Sequence, residues 1–340
     1  MILDIDSIKK RLSRTSLVTR AAIILPLPAL VYFLLAWNWP LSHSAEVFAV
    51  RSGSSMSSIA RDLYTRNVVP DPFSLRMLAR ITGAATRIKA GEYQFKSGMS
   101  QYDILTAMTN GDQVRYSLLL VEGATFADLV SLLSKHEKIE QTLTGLKPTE
   151  VMDRLSYGGQ HPEGQFFPDT YTFTAGTKDL EILRQAYSRM QAELDMAWEK
   201  REPDLPYANK QEVLIMASII EKETGRPEDR GRVAAVFVNR LRKGMRLQTD
   251  PTVIYGMGTQ FDGNLRKRDL LRDTPYNTYT RRGLPPTPIA LPGHDSIFAA
   301  LHPAPTNDLY FVARGDGTSH FSESLMEHNR AVRKYQLGGK

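Results

Sequence analysis

The residues best placed to do chemistry close an apolar run. Val213-Leu214-Ile215-Met216-Ala217-Ser218-Ile219-Ile220 leads directly into Glu221-Lys222-Glu223-Thr224-Gly225. Apolar character almost all round predicts a buried helix, and Gly225 is a natural stop for it. A carboxylate on the continuation of a buried stripe is partly desolvated, and desolvation raises its pKa. A raised pKa keeps a proton available near neutrality, as a general acid requires. Leu214, Ala217, Ser218 and Glu221 share one stripe by three-and-four spacing, which makes Glu221 a candidate. Glu223 follows Ile219 and Ile220 at helical spacing and is its rival. Pattern leaves that choice open, and it also leaves Glu221 free to be a plain solvent-facing residue at a helix end.

Three further segments could line a site. Pro162 to Phe173, PEGQFFPDTYTF, sets Glu163 and Asp169 among aromatics. That composition suits sugar stacking and hydroxyl hydrogen bonding, and equally a packed turn. Met245 to Gly256 (MRLQTDPTVIYG) and Thr274 to Gly293 (TPYNTYTRRGLPPTPIALPG) are long and rich in turn residues, as functional loops often are. Arg246, Gln248, Thr249, Asp250, Tyr255, Tyr276, Asn277 and Tyr279 are the groove candidates they supply, with Glu163 as another. Asp250, before Pro251, would serve equally well to begin a turn.

Other chemistries find little footing. With no cysteine, thiolate nucleophiles, thiolate metal sites and disulfides all drop out. The seven histidines show no HExxH or comparable ligand spacing, no GxSxG elbow is present, and no metal or cofactor is expected. The net charge of +6 is mild for 340 residues. Without a dense basic block interleaved with aromatics, nucleic acid is not an expected partner. Hydrophobic residues make up 42% and charged residues 24%, which fits globular domains with real cores.

The elements that must position these residues read as α+β. Three stretches repeat one spacing: Gly53, Ser55, Ser58, Ile59; then Gly98, Ser100, Asp103, Ile104; then Gly123, Thr125, Asp128, Leu129. In each, an apolar strand end precedes a glycine turn, an N-cap candidate (Ser55, Ser100, Thr125) and an aliphatic residue that opens a buried face. Asp103 and Asp128 suit capping boxes. Small β–α units are therefore expected over 46–135. Residues 178–201 read as an amphipathic helix. Another helix starts at Pro227, with Glu228 and Asp229 in its first turn, and ends near Lys243-Gly244. Leu309 to Ala313 reads as a strand.

Residues 21–45 contain no Asp, Glu, Lys or Arg, and Ala21 to Trp37 is strongly apolar. Such a segment is just long enough to cross a bilayer. Lys9, Lys10, Arg11, Arg14 and Arg20 precede it, so the amino terminus should stay cytoplasmic and the rest should lie outside. Trp37 and Trp39 would sit in the interfacial belt. A cleaved signal peptide ending near Ser44 or Ala45 and a buried soluble helix are the competing readings. The expected layout is a basic segment over 1–20, a transmembrane helix over 21–41, a small β–α subdomain over 46–114 and a larger mixed domain over 115–335.

The first β–α unit, VFAVRSGSSMSSIARDLYTRNVV, resembles a LysM module, a small domain that binds N-acetylglucosamine-containing glycans; a generic β–α unit explains it equally well. EGQFFPDTY, ASIIEKET, VFVNRLRKGMRLQTDPTVIYG, YNTYTRRGLPPTPI and LYFVARGDGTSHF resemble the YceG-like family of endolytic murein transglycosylases over residues 115–330. That resemblance implies a single-pass inner-membrane protein with a periplasmic catalytic domain. Its substrate would be the β-1,4 bond between N-acetylmuramic acid and N-acetylglucosamine in nascent peptidoglycan strands, with peptidoglycan synthases as possible partners. It also implies that the first Glu of the EKET motif, Glu221, is the catalytic residue. A lone acid of this kind would protonate the glycosidic oxygen and then take the proton of the muramic C6 hydroxyl, leaving a 1,6-anhydro end. The rivals are a glycan-binding scaffold without activity, and a hydrolase in which Asp250 or Glu163 supplies the second carboxylate that hydrolysis usually needs.

Overall fold

The computed structural model describes residues 26–42 and 46–338. The backbone divides into two compact units. The first runs to Tyr116 and takes in Thr174–Gly176; the second comprises Ser117–Phe173 and everything from Thr177 onward. Both mix helices and short strands, as the α+β expectation requires.

In the first unit, α1 (Pro26–Asn38) precedes β1 (Val47–Val50), α2 (Met56–Thr65), α3 (Pro72–Ile81), β2 (Gly91–Gln94) and α4 (Gln101–Asn110). β1 and β2 pair antiparallel, Val47 opposite Gln94 and Val50 opposite Gly91. Phe48, Ile59, Leu63, Leu75, Tyr93, Phe95 and Ile104 build the core. The glycine-turn pattern forms as its spacing predicts. Ser55 accepts from the Ser58 amide, and Ser100 closes a capping box with Asp103.

The expected membrane span begins outside the described residues, as does the basic segment before it. Of that span, α1 is described, and no described helix is long and apolar enough to cross a membrane. Trp37 differs from its expected place at a lipid interface. It is 7% exposed within the first unit's core, and its indole N–H donates to the Ser74 carbonyl at 3.2 Å. Trp39 is exposed.

β3 (Arg115–Leu119) leads into the second unit, where Thr125 and Asp128 form the third capping box at the head of α5 (Phe126–Ser134). Then come β4 (Ile139–Glu140), α6 (Pro148–Arg154), β5 (Thr170–Thr174), β6 (Thr177–Lys178), α7 (Asp179–Glu199), α8 (Lys210–Glu223) and α9 (Pro227–Arg242). α10 (Asp250–Met257), α11 (Lys267–Leu271), α12 (His294–Leu301), β7 (Tyr310–Ala313), β8 (Ser319–Ser322) and α13 (Leu325–Tyr335) complete it. β4 pairs parallel with β6, and β7 forms an antiparallel hairpin with β8.

α8 is the axis of the second unit. Val213 to Ile220 are buried on every side, because α7, α9, α10 and α12 all pack on it. Burying each such aliphatic side chain contributes about 1.5–3 kcal/mol, so the helix is held firmly enough to present its last turn in a fixed orientation. Asn209 caps its start by accepting from the Glu212 amide. α9 begins on Pro227 with Glu228 and Asp229 in its first turn and carries Arg240 and Arg242 in its last, the charge order that complements the helix dipole.

Candidate active site

Glu221 and Glu223 lie two residues apart on a helix and so project roughly 200° apart. The last turn of α8 sends them into different surroundings.

Glu221 is half-buried. Its carboxylate accepts the backbone N–H of Gly293 at 3.0 Å, at the N-cap of α12. A carboxylate suits the positive end of a helix, so Glu221 ties the end of α8 to the start of α12. Neighbouring bonds repeat the function: the Ile289 amide donates to the Ser218 hydroxyl at 3.0 Å, and Lys222 donates to the Gly123 carbonyl at 3.1 Å. The chain at 123–124 and Leu291 exchange amide hydrogen bonds of 2.8 and 2.7 Å. Glu122 sits alongside, its carboxyl pushed above the usual range by burial and then by the negative charge of Glu221.

Glu223 faces the other way, into a groove of about 600 Å³ that it lines together with Arg240, Gln248, Asp250, Tyr279 and Tyr310. Its carboxyl accepts the Thr249 hydroxyl. Burial, opposed by that bond and by Arg240 and reinforced by Asp250, pushes its pKa up to about 7. Thr249 is itself 1% exposed and is held by the Thr278 hydroxyl, which accepts its amide at 3.1 Å. Gln248, the residue before it, adopts a φ of 51°. That left-handed backbone is uncommon outside glycine and tends to mark functional turns. Across the groove Tyr279 donates to Asp250 at 2.5 Å.

Of the expected groove residues, Gln248, Thr249, Asp250 and Tyr279 thus gather around Glu223. Arg246 is exposed beside them, and its carbonyl accepts from Arg240 at 3.4 Å. Tyr255, Tyr276 and Glu163 form a separate cluster. The Tyr255 hydroxyl donates to Glu163 at 3.0 Å, the Tyr255 and Tyr276 rings meet edge-on at 4.9 Å, and Tyr276 bonds Thr287 at 2.8 Å.

Two of the groove assignments need correction. Glu163 is 4% exposed and is occupied by the Phe126 amide at the head of α5 as well as by Tyr255. Burial, partly offset by these donors, pushes its pKa up to about 7. Asn277 is fully buried. Its amide donates to the Leu270 and Arg272 carbonyls at 3.0 and 2.7 Å, while its oxygen accepts the Tyr279 amide at 2.8 Å. Both side chains are engaged within the protein, Asn277 by backbone groups alone and Glu163 by the Phe126 amide and the Tyr255 hydroxyl, and they shape the loops that present other groups.

Arg240, Tyr310, His328 and Asn329 also line the groove without having stood out as candidates. Arg240 is 7% exposed, donates to the Leu247 and Leu309 carbonyls at 2.7 Å each, and lies 5.1 Å from the centroid of the Tyr310 ring. His328 stacks on Tyr310 at 5.2 Å, and burial followed by the charge of Arg240 lowers its pKa. Arg240 and Tyr310 did carry a signal in the sequence, as the first Arg of the VFVNRLR run and the Tyr of LYFVARGDGTSHF.

This arrangement can hold a neutral, hydroxyl-rich ligand against a protonated carboxyl group. Comparison with known proteins agrees with that chemistry. The YceG-like family matches residues 48–334. The chain is 35% identical over 303 residues to an endolytic murein transglycosylase of Bacillus subtilis (strain 168), covering 84% of this chain and 83% of that protein. It is 25% identical over 319 residues to one of Streptococcus pneumoniae (strain R6), covering 84% of this chain and 57% of the other. A crystal structure of a YceG-like protein from Listeria monocytogenes superposes with a TM-score of 0.50 at 30% identity, covering 84% of this chain and 99% of that one. Motifs, fold and site lead to one conclusion: the chain belongs to the YceG-like family.

Proposed function

We propose that this chain is an endolytic peptidoglycan lytic transglycosylase, and that Glu223, in place of Glu221, is its general acid. The observation that carries the reading is the Glu223 carboxyl group, held by Thr249 with a pKa of about 7 where it lines the 600 Å³ groove. Glu221 is occupied with the N-cap of α12 and lies on the other side of the helix.

In this mechanism protonated Glu223 gives its proton to the glycosidic oxygen as the bond to muramic C1 breaks, and the N-acetylglucosamine side leaves as an alcohol. The resulting Glu223 carboxylate takes the proton of the muramic C6 hydroxyl as that oxygen bonds to C1. A 1,6-anhydro end forms, no water is consumed, and Glu223 ends protonated as it began. Exposed Asp250 and half-buried Tyr279, both lining the groove, would bind sugar hydroxyls. Tyr310, stacked on His328, offers an aromatic surface for sugar C–H groups.

The presence of Asp250 in the same groove also supports a hydrolase reading, with Asp250 activating water. Mass spectrometry of products from purified sacculi distinguishes the two. Transglycosylation leaves anhydro-muramic ends, and products carrying an added water would overturn it. A scaffold without activity would release no new ends at all.

The acid must be protonated to act. With a pKa of about 7 for Glu223, turnover should be level below neutrality and fall about tenfold per unit above it. A rate that rises from pH 7 to 9 would remove Glu223 from the role. Glu221→Gln keeps an acceptor for the Gly293 amide, so turnover should stay within about threefold of wild type, less than 1 kcal/mol on the barrier. Loss of activity in a folded Glu221→Gln protein would return the assignment to Glu221.

The same proposal includes a single-pass membrane anchor over 21–41, periplasmic exposure of the catalytic unit and a LysM-like glycan-binding role for residues 46–114. Termination of nascent strands beside peptidoglycan synthases belongs to the same reading. The uncharged stretch 21–45 behind Lys9, Lys10, Arg11, Arg14 and Arg20 supports the anchor, as do the exposed Val31, Tyr32, Leu34 and Leu35 of α1.

A further inference from the structure

The other end of α8 borders a second groove, of about 510 Å³, whose lining includes Gln160, Gln165, Gln191, Asn209, Gln211 and Trp198. Five carboxamides around one indole is an unusual wall for a surface groove. α8 rises about 1.5 Å per residue, which puts this groove about 20 Å from Glu223 and outside the site described above.

The amides are oriented. Tyr187 donates to the Gln160 oxygen at 2.9 Å. The Glu212 amide donates to the Asn209 oxygen at 3.1 Å, and Gln165 donates to the Gln211 oxygen at 3.0 Å. A carboxamide carries an acceptor at one end and two donors at the other. With their oxygens engaged, Gln160, Asn209 and Gln211 keep NH₂ groups to offer, while Gln165, buried with its NH₂ engaged, keeps its oxygen. The side chain of Gln191 has no hydrogen-bond partner among the described residues. The groove therefore combines several donors with an acceptor, and the one charged side chain in its lining, Lys210, is paired with Asp195 at 2.5 Å.

Trp198 adds an apolar face. It borders both this groove and a neighbouring one that Arg201 lines. The Arg201 guanidinium lies 4.1 Å from the indole centroid and lines the neighbouring groove, while the half-buried indole also forms part of this groove's wall. An aromatic surface ringed by a few oriented polar groups is the usual form of a site for a neutral ligand that is apolar on one side and polar at its edge.

We propose that this groove is a second saccharide-binding site, taking an N-acetylated sugar of the glycan strand with its ring against Trp198 and its acetamide and hydroxyl groups on the carboxamides. Stem peptides carry ionised carboxylate and amine groups, and the lining offers no unpaired charge to meet them. The inference rests on the proposed glycan substrate. It adds that a strand is gripped about two disaccharides from the cut, which favours attack within a strand over attack at its end.

The test uses the full chain in detergent, carrying Glu223→Gln so that ligand is not consumed, titrated calorimetrically with a soluble chito-oligosaccharide. Three sites per chain are expected: the catalytic groove, this groove and the LysM-like unit. Adding Gln191→Leu and Gln211→Leu should abolish one of them and leave the other two intact. In the otherwise wild-type chain the same pair should raise KM for sacculi about tenfold with little change in kcat, the mark of lost uniform binding. Trp198→Ala should match it; if that variant fails to fold, the glutamine pair still decides. An isotherm unaltered by the glutamine substitutions, or binding at this groove of a stem peptide alone and no saccharide, would overturn the proposal. Undiminished turnover by Glu223→Gln would sink the acid assignment instead, and the effect of the glutamine pair on KM would still be readable.

Discussion

Glu223→Gln should abolish formation of anhydro ends while the protein folds and binds glycan as before. The substitution is isosteric and keeps an oxygen to accept the Thr249 hydroxyl. It removes the only function that oxygen cannot supply, the delivery and recovery of a proton. General acid–base catalysis contributes about 10²–10⁴ in rate, and since one group performs both proton transfers in the proposed mechanism, the loss should fall at the upper end or beyond. Stability should not suffer. The wild-type carboxyl group is pushed up to about 7 by burial, so at pH 8 it must ionise in a partly desolvated place, and a neutral amide avoids that cost. The expected pattern is thus a folded protein with an unchanged or slightly raised Tm and no product above background. Thr249→Val should behave differently: it leaves the acid in place but unanchored, which should lower kcat by a smaller factor. Product from Glu223→Gln within tenfold of wild type would end the assignment.

Much of the local architecture was legible because it depends on short-range rules. Gly98, Ser100 and Asp103 form a turn, a cap and a capping box within six residues, and Gly123, Thr125 and Asp128 do so again. The burial of α8 was equally legible, since Val213 to Ile220 leave no polar face. The choice between Glu221 and Glu223 was of another kind. It depends on which side of α8 meets the 245–250 and 276–279 loops and which meets 287–293, and those are contacts between segments tens of residues apart. Continuation of the buried stripe pointed to Glu221, but in the fold that stripe runs under the 287–293 loop and ends on Gly293. Asn277 misled for a related reason. An Asn between two tyrosines in a loop suits a sugar, yet this loop closes on 270–272 and uses the side chain as its clasp. Trp37 fits the same account: an aromatic at the end of an apolar run suggests a lipid interface, and only the fold reveals the Ser74 carbonyl and the core of α3 and α4 that receive it.

Gly164→Ala should be the most damaging small substitution in the second unit. Gly164 has a φ of +76°, and a Cβ built there would lie 2.4 Å from Pro288 Cβ and 3.3 Å from the Ala290 carbonyl oxygen. The left-handed backbone costs a non-glycine residue about 1–2 kcal/mol. Forcing a methyl group into a packed site costs about 1–3 kcal/mol more. Neither neighbour can yield easily, because Pro288 is a rigid ring and the next residue, Ile289, is bonded to Ser218. A loss of about 2–5 kcal/mol follows, and a domain of this size loses about 2–4 °C in Tm for each of them. Gly159→Ala separates the two causes, since Gly159 has a φ of +84° with nothing within 4 Å of the added Cβ; it should lose only the backbone portion. Gly225→Ala, with open space and no left-handed φ, should be close to neutral. If thermal unfolding ranks the three otherwise, with Gly164→Ala no worse than Gly159→Ala, the 288–290 segment is not held as tightly as its contacts indicate. The consequence would reach the site: Ile289 and Gly293 are what keep Ser218 and Glu221 engaged, and with that side of α8 loose the last turn could no longer hold Glu223 at a fixed angle to its groove.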